Sequence, residues 1–173
     1  MDAWTPERQQ TRYEFQYAPV WYRPTGSADR RWPMGSEFGF GVRTTTRVLP
    51  FLVSWSSEPV LRVLDSKSFA FSIVQRVFAG VAIGPIEPEV GGGLSMFTVD
   101  VFHANFSAEL FSPRAEAGFW VHVSKLRLGA HAYAEYLWRW FGDRNYLMRG
   151  VAFEVSIESP RAGAAPPVTS SVH

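Results

Sequence analysis

His103, Asn105, Ser107 and Glu109 stand two residues apart along one stretch of the chain. In an extended strand alternate side chains share a face about 7 Å apart, so this set can supply a base, a nucleophile and an orienting carboxylate for hydrolysis. His103, Ser107 and Glu109 are the catalytic candidates on that reading. A polar network packed inside a barrel calls for the same residue types with no chemistry, and it is the preferred account. His131, Glu135 and Arg139 recur every fourth residue. Strand geometry separates such neighbours by about 14 Å, too far for shared metal ligation, so ion pairing to adjacent strands is expected instead. Gly91-Gly92-Gly93 has no Lys-Ser/Thr after it and opens no helix, which predicts a turn or strand kink rather than a phosphate loop. No metal and no cofactor is implied.

The elements that hold these residues must be strands. The 173 residues fit one domain; 46% are apolar, 16% aromatic and 19% charged, against about 25% charged in an average soluble protein. A formal net charge of +1 with scattered arginines offers no field for a polyanion, so nucleic acid is not an expected partner. The absence of cysteine excludes disulfides and thiolate chemistry. No stretch of about 18 apolar residues occurs, which removes a transmembrane helix but not a membrane strand. The residues from Met1 to Arg8 lack the basic start and apolar run of a secretory signal, which counts against an outer-membrane destination unless a signal was removed or the start lies upstream. Residues 1–10 and 159–173 are expected to be a flexible segment and a disordered tail, leaving 11–158 as the domain.

Within that domain apolar residues recur at period two. From Arg127 to Phe141 the even positions, Leu128 to Trp140, carry no charge, whereas the odd positions include Arg127, His131, Glu135 and Arg139. After Gly142-Asp143-Arg144-Asn145, the set Leu147, Val151, Phe153, Val155 and Ile157 alternates with Gly150, Ala152, Glu154, Ser156 and Glu158, completing a hairpin in which Arg149 falls on the apolar parity. Phe102 to Leu110, and Ala115 to Val123 after a turn at Ser112-Pro113, repeat the design. So do Tyr13, Phe15 and Tyr17 against Arg12, Glu14 and Gln16, and Phe38, Phe40 and Val42 against Glu37, Arg43 and Arg47. Residues 50–83 hold apolar groups on both parities and are not resolved into strands. The pattern predicts an all-β fold, a closed antiparallel up-and-down barrel of about eight strands.

Alternation alone leaves the inside open. In the preferred reading the charge-free parity faces lipid and the lumen holds a packed network of Glu14, Glu37, Arg43, Arg47, His103, Glu109, Glu116, Arg127, His131, Glu135, Arg139 and Glu154, with each arginine paired to a glutamate across the barrel. An eight-stranded barrel has room for that filling and none for an aqueous pore. Tyr136, Trp138 and Trp140 occupy the last outward positions before a polar turn, where rings sit at a membrane interface. The alternative inverts the faces, giving a soluble barrel that binds an apolar molecule among Trp120, Trp138 and Trp140.

Residues 11–158 resemble the small eight-stranded outer-membrane barrels of Gram-negative bacteria. The last strand is similar to their assembly signal in Gly150, Phe153 and Val155, although Met148 stands where a polar residue is usual and a tail follows the strand. The resemblance implies insertion by the outer-membrane assembly machinery and no particular activity; the leading expectation is a monomer in the lipid bilayer with a structural or surface-interaction role. The stretch 24–35, with Pro24, Arg30, Arg31, Trp32 and Pro33, is the expected contact loop. Around His103 the chain is similar to the lipid A deacylases, with Asn where Ser would follow His, which leaves a lipid-hydrolysing barrel as the second alternative.

Overall fold

The computed structural model describes residues 10–26, 28, 30–48, 50–65, 68–100, 112–141 and 144–158. They form β1 (Gln10–Pro24), β2 (Met34–Val48), β3 (Phe51–Asp65), β4 (Ser68–Gly80), β5 (Ile86–Asp100), β6 (Ser112–Val123), β7 (Leu126–Phe141) and β8 (Arg144–Glu158). Each strand pairs antiparallel with the next, and β1 pairs with β8, so the sheet is a closed up-and-down barrel of eight strands. Closure gives each strand a hydrogen-bonded neighbour on both sides.

Period-two burial follows the sequence along the strands. In β1 Arg12, Glu14, Gln16 and Ala18 are buried while Tyr13, Phe15 and Tyr17 are exposed. β3 and β4 obey the same rule: Ser54, Ser56, Glu58 and Arg62 point inward, as do Ser72, Val74, Arg76 and Phe78. Their inward sides mix Val and Phe with Arg and Ser, which is why the pattern is faint in sequence. Two prolines coincide with gaps in the ladders. The β1–β8 register passes from Tyr17↔Phe153 to Val20↔Gly150 around Pro19, and the β2–β3 register from Gly39↔Val60 to Val42↔Ser57 around Pro59, because proline has no N–H to donate. The β6–β7 turn is the two residues Ser124 and Lys125, with Ser124 at a φ of 57°, a conformation that primed hairpin turns require.

Three sequence expectations are corrected. Ser112-Pro113 is no turn but the start of β6, where Pro113 lies opposite Leu94. Gly91-Gly92-Gly93, expected as a turn or a strand kink, is no turn but the interior of β5, paired with Arg76 to Phe78 on one side and Arg114 to Glu116 on the other. A Cβ at Gly91 would overlap the Val77 carbonyl and the Phe78 ring, so glycine there admits a large inward ring from the next strand. The hairpin before β8 is also tighter than expected, with Arg144 and Asn145 already in the strand and Phe141 opposite Arg144. The strand placed on Phe102 to Leu110 and the segments 1–9 and 159–173 lie outside the described residues.

Candidate functional site: the barrel interior

The inward parity of all eight strands meets in one layered interior. Nearest the end where β1 begins and β8 finishes, Glu87 accepts from Arg127 at 2.7 Å and faces His122 at 3.0 Å. Above it, two guanidinium groups approach Trp120, with Arg127 4.6 Å and Arg43 5.3 Å from the ring centroid, and its indole N–H donates to Glu89 at 3.0 Å. Glu89 also binds Arg43, and it lies 2.9 Å from His131 Nε2.

Arg76 occupies the centre. It pairs with Glu154 at 2.8 Å, Glu116 at 3.3 Å and Glu58, and lies 3.7 Å from Glu14. Next, Arg62 bridges Glu37 at 2.8 Å and Glu135 at 2.7 Å, and Arg114 joins Glu37 at 2.9 Å to Glu116 while its guanidinium lies 3.5 Å from the Tyr133 ring centroid. Toward the opposite end charge gives way to an apolar cluster of Ala18, Val20, Ala70, Leu137, Met148 and Ala152 with Tyr133, against which Tyr22 and Tyr146 pack. Burying so many charges is tolerable only because nearly every one meets opposite charge.

Glu14, Glu37, Arg43, Glu116, Arg127, His131, Glu135 and Glu154 all lie in this interior. Arg47 does not. It has the inward parity of β2 but is the strand's penultimate residue, so its side chain passes the rim and is exposed. His103, Ser107 and Glu109 lie outside the described residues, as do the side chains of Arg139 and Trp140. Arg62, Arg76, Arg114, Glu58, Glu87 and Glu89 belong to the network but escaped the sequence reading. Arg114 was signalled by standing two residues before Glu116, and Arg62 by the run Ser54, Ser56, Glu58, Val60, Arg62. Among the described residues no group of three or more His, Asp or Glu is arranged to hold a metal ion.

The outer surface is the complement. Phe15, Phe40, Trp55, Phe71, Leu128, Phe153 and their neighbours are all exposed on the outward parity. The outward polar residues Gln75 and Ser57 satisfy each other through a 2.6 Å hydrogen bond. Tyr136 and Trp138 meet edge to face with ring centroids 5.4 Å apart, and Asn145 donates to the Tyr136 hydroxyl at 2.9 Å. The inverted arrangement is therefore overturned, since Arg127, His131 and Glu135 are at most 2% exposed. Trp120 is wholly buried and Trp138 is 54% exposed, so these two rings lie on opposite faces of the wall and line no common pocket.

Fold and interior together define a small closed antiparallel barrel, charged within and apolar without. Neisserial surface protein A, solved by crystallography, has the same fold: the match has a TM-score of 0.62 at 11% identity and covers 88% of this chain and 100% of that one. A weaker match, with a TM-score of 0.31 at 10% identity, is to Ail, the attachment invasion locus protein of Yersinia pestis, in complex with the heparin analogue sucrose octasulfate; it covers 86% of this chain and 99% of that one. No family model and no curated protein matches the sequence.

Proposed function

We propose that the chain is an integral outer-membrane barrel without an aqueous pore, with a structural or surface-interaction role carried by the connections at one end. The observation that supports this most is the sidedness of the wall: charge is sequestered inside, while rings and aliphatic groups cover the outside. Water rewards the opposite arrangement, whereas a bilayer penalises any charge on the outer face. The membrane-free alternative would leave Tyr13, Phe15, Tyr17, Phe38 and Phe40 as one aromatic patch in water, with Phe15 and Phe40 4.9 Å apart and Tyr17 and Phe38 5.2 Å apart.

The buried side chains of the inward parity support a lumen without an aqueous pore, as does the apolar cluster toward one end. The connections differ between ends. Residues 49–50, 81–85 and 124–125 join strands at the end where β1 starts and β8 finishes, while 25–33, 66–67, 101–111 and 142–143 join them at the other. Outer-membrane barrels keep short turns on the periplasmic side and longer loops outside, which supports an exterior position for the end that carries 25–33. The neisserial protein with this fold is by its name a surface protein, which supports the same placement here.

Refolding from urea tests the proposal. β-Structure by circular dichroism and a heat-dependent shift in gel mobility should appear in detergent micelles and not in plain buffer. A soluble folded monomer in buffer would overturn it.

A further inference from the structure

Two arginines break the rule that the outer wall carries no charge. Arg23 near the end of β1 and Arg149 in β8 both have the outward parity, and both lean on one indole, with guanidinium carbons 4.7 Å and 4.2 Å from the Trp32 ring centroid. The register explains how they meet: Trp21 pairs with Arg149 and Arg23 with Leu147, so the two cations sit on diagonal positions of adjacent strands. Trp32 comes from the β1–β2 connection, which folds back so that the Tyr22 N–H donates to the Pro33 carbonyl at 3.2 Å. Neither arginine has a carboxylate partner among the described residues, in contrast to the guanidinium groups of the lumen. Arg30, two residues before Trp32 on the same connection, is exposed.

Their height on the wall is specific. Ten residues separate Tyr13 from Arg23, which at about 3.3 Å per residue and a tilt of about 40° is about 25 Å, the height of the apolar band of such barrels. Arg23 thus stands at the upper edge of the band, where the cost of an outward arginine falls toward zero and where headgroups begin, and Arg149, opposite Trp21, lies two residues below that level. Two cations against one ring, with no carboxylate partner among the described residues, favour an added anion. Phosphate is the anion that guanidinium forks recognise best, and the indole is a flat surface against which each guanidinium packs.

We propose that Arg23, Trp32 and Arg149 form a binding site for the phosphate of an outer-leaflet glycolipid. The inference rests on the membrane reading above, and it adds the class of lipid and the residues that hold it. Phosphorylated lipid A is the probe, added to protein refolded in neutral detergent micelles and followed by native mass spectrometry. Wild-type protein should retain one lipid A, and the Arg23→Gln/Arg149→Gln variant should bind about tenfold more weakly or worse, since each lost charge-assisted contact is worth a sizeable part of that factor. Dephosphorylated lipid A should bind wild-type protein as weakly as the variant binds the phosphorylated form.

Equal binding by the variant, or equal retention of the dephosphorylated lipid, would overturn the proposal. Displacement of lipid A by equimolar inorganic phosphate would overturn the lipid assignment in favour of a free-anion site. The variant's heat-dependent mobility shift verifies that it has folded, because both side chains lie outside the packed interior. Folding in plain buffer would be a separate failure, of the membrane reading itself.

Discussion

Arg76 meets Glu154, Glu116 and Glu58 from three different strands and donates to Ser56 at 3.1 Å, so one side chain links β4 to β3, β6 and β8. Replacing it with methionine preserves bulk but leaves those carboxylates facing one another without their counter-charge. Arg76→Met should therefore lower the free energy of unfolding by about 3–5 kcal/mol in micelles, read from urea titration. Arg47→Met, at the exposed rim of β2, should change it by less than about 0.5 kcal/mol in the same titration. Gly118 makes a separate point about space. A Cβ there would overlap the Ala130 carbonyl and the His131 ring of the neighbouring strand, so Gly118→Ala should cost about 1–3 kcal/mol although it adds a single methyl. Nothing in the identity of Gly118 announces this, because the crowding comes from a residue thirteen positions away.

At the scale of the strand, β7 was the most legible element: its alternation from Arg127 to Phe141 matches the observed Leu126–Phe141 to within a residue. β3 and β4 were the least legible, since Val60, Val74 and Phe78 share the inward side with Arg62 and Arg76. An interior that is charged in the middle and apolar toward one end makes the parity of a single strand ambiguous. The outward side is more uniform, and it carries a prediction of its own. Ala132 lies on the outer wall of β7 opposite Val151, away from both rims. Ala132→Arg should destabilise the membrane-inserted barrel by about 2–4 kcal/mol, measured by unfolding from phospholipid vesicles. If the wall instead faced water, the same change would be nearly neutral.

For the molecule as a whole, the filled lumen predicts that purified protein in a planar bilayer gives no stepwise ion conductance, and discrete openings would contradict the packed interior. The chain has no cysteine, so orientation is open to single-site labelling. Arg30→Cys should react with a membrane-impermeant maleimide on intact cells, and Lys125→Cys only after the outer membrane is permeabilised; the reverse pattern would invert the assignment of ends. The sequence by itself determined the all-β class, the two-sided strands and the closure into about eight of them, because a period of two is a local property that each strand carries in its own residues. It also separated Glu14, Glu37, Arg43, Arg127 and Glu135 from the apolar parity. Only the tertiary structure decided which arginine meets which glutamate, that Arg47 clears the rim, and that Arg23 and Arg149 converge on Trp32. Those facts depend on the register between strands, and register is set by closure of the whole barrel rather than by any segment alone.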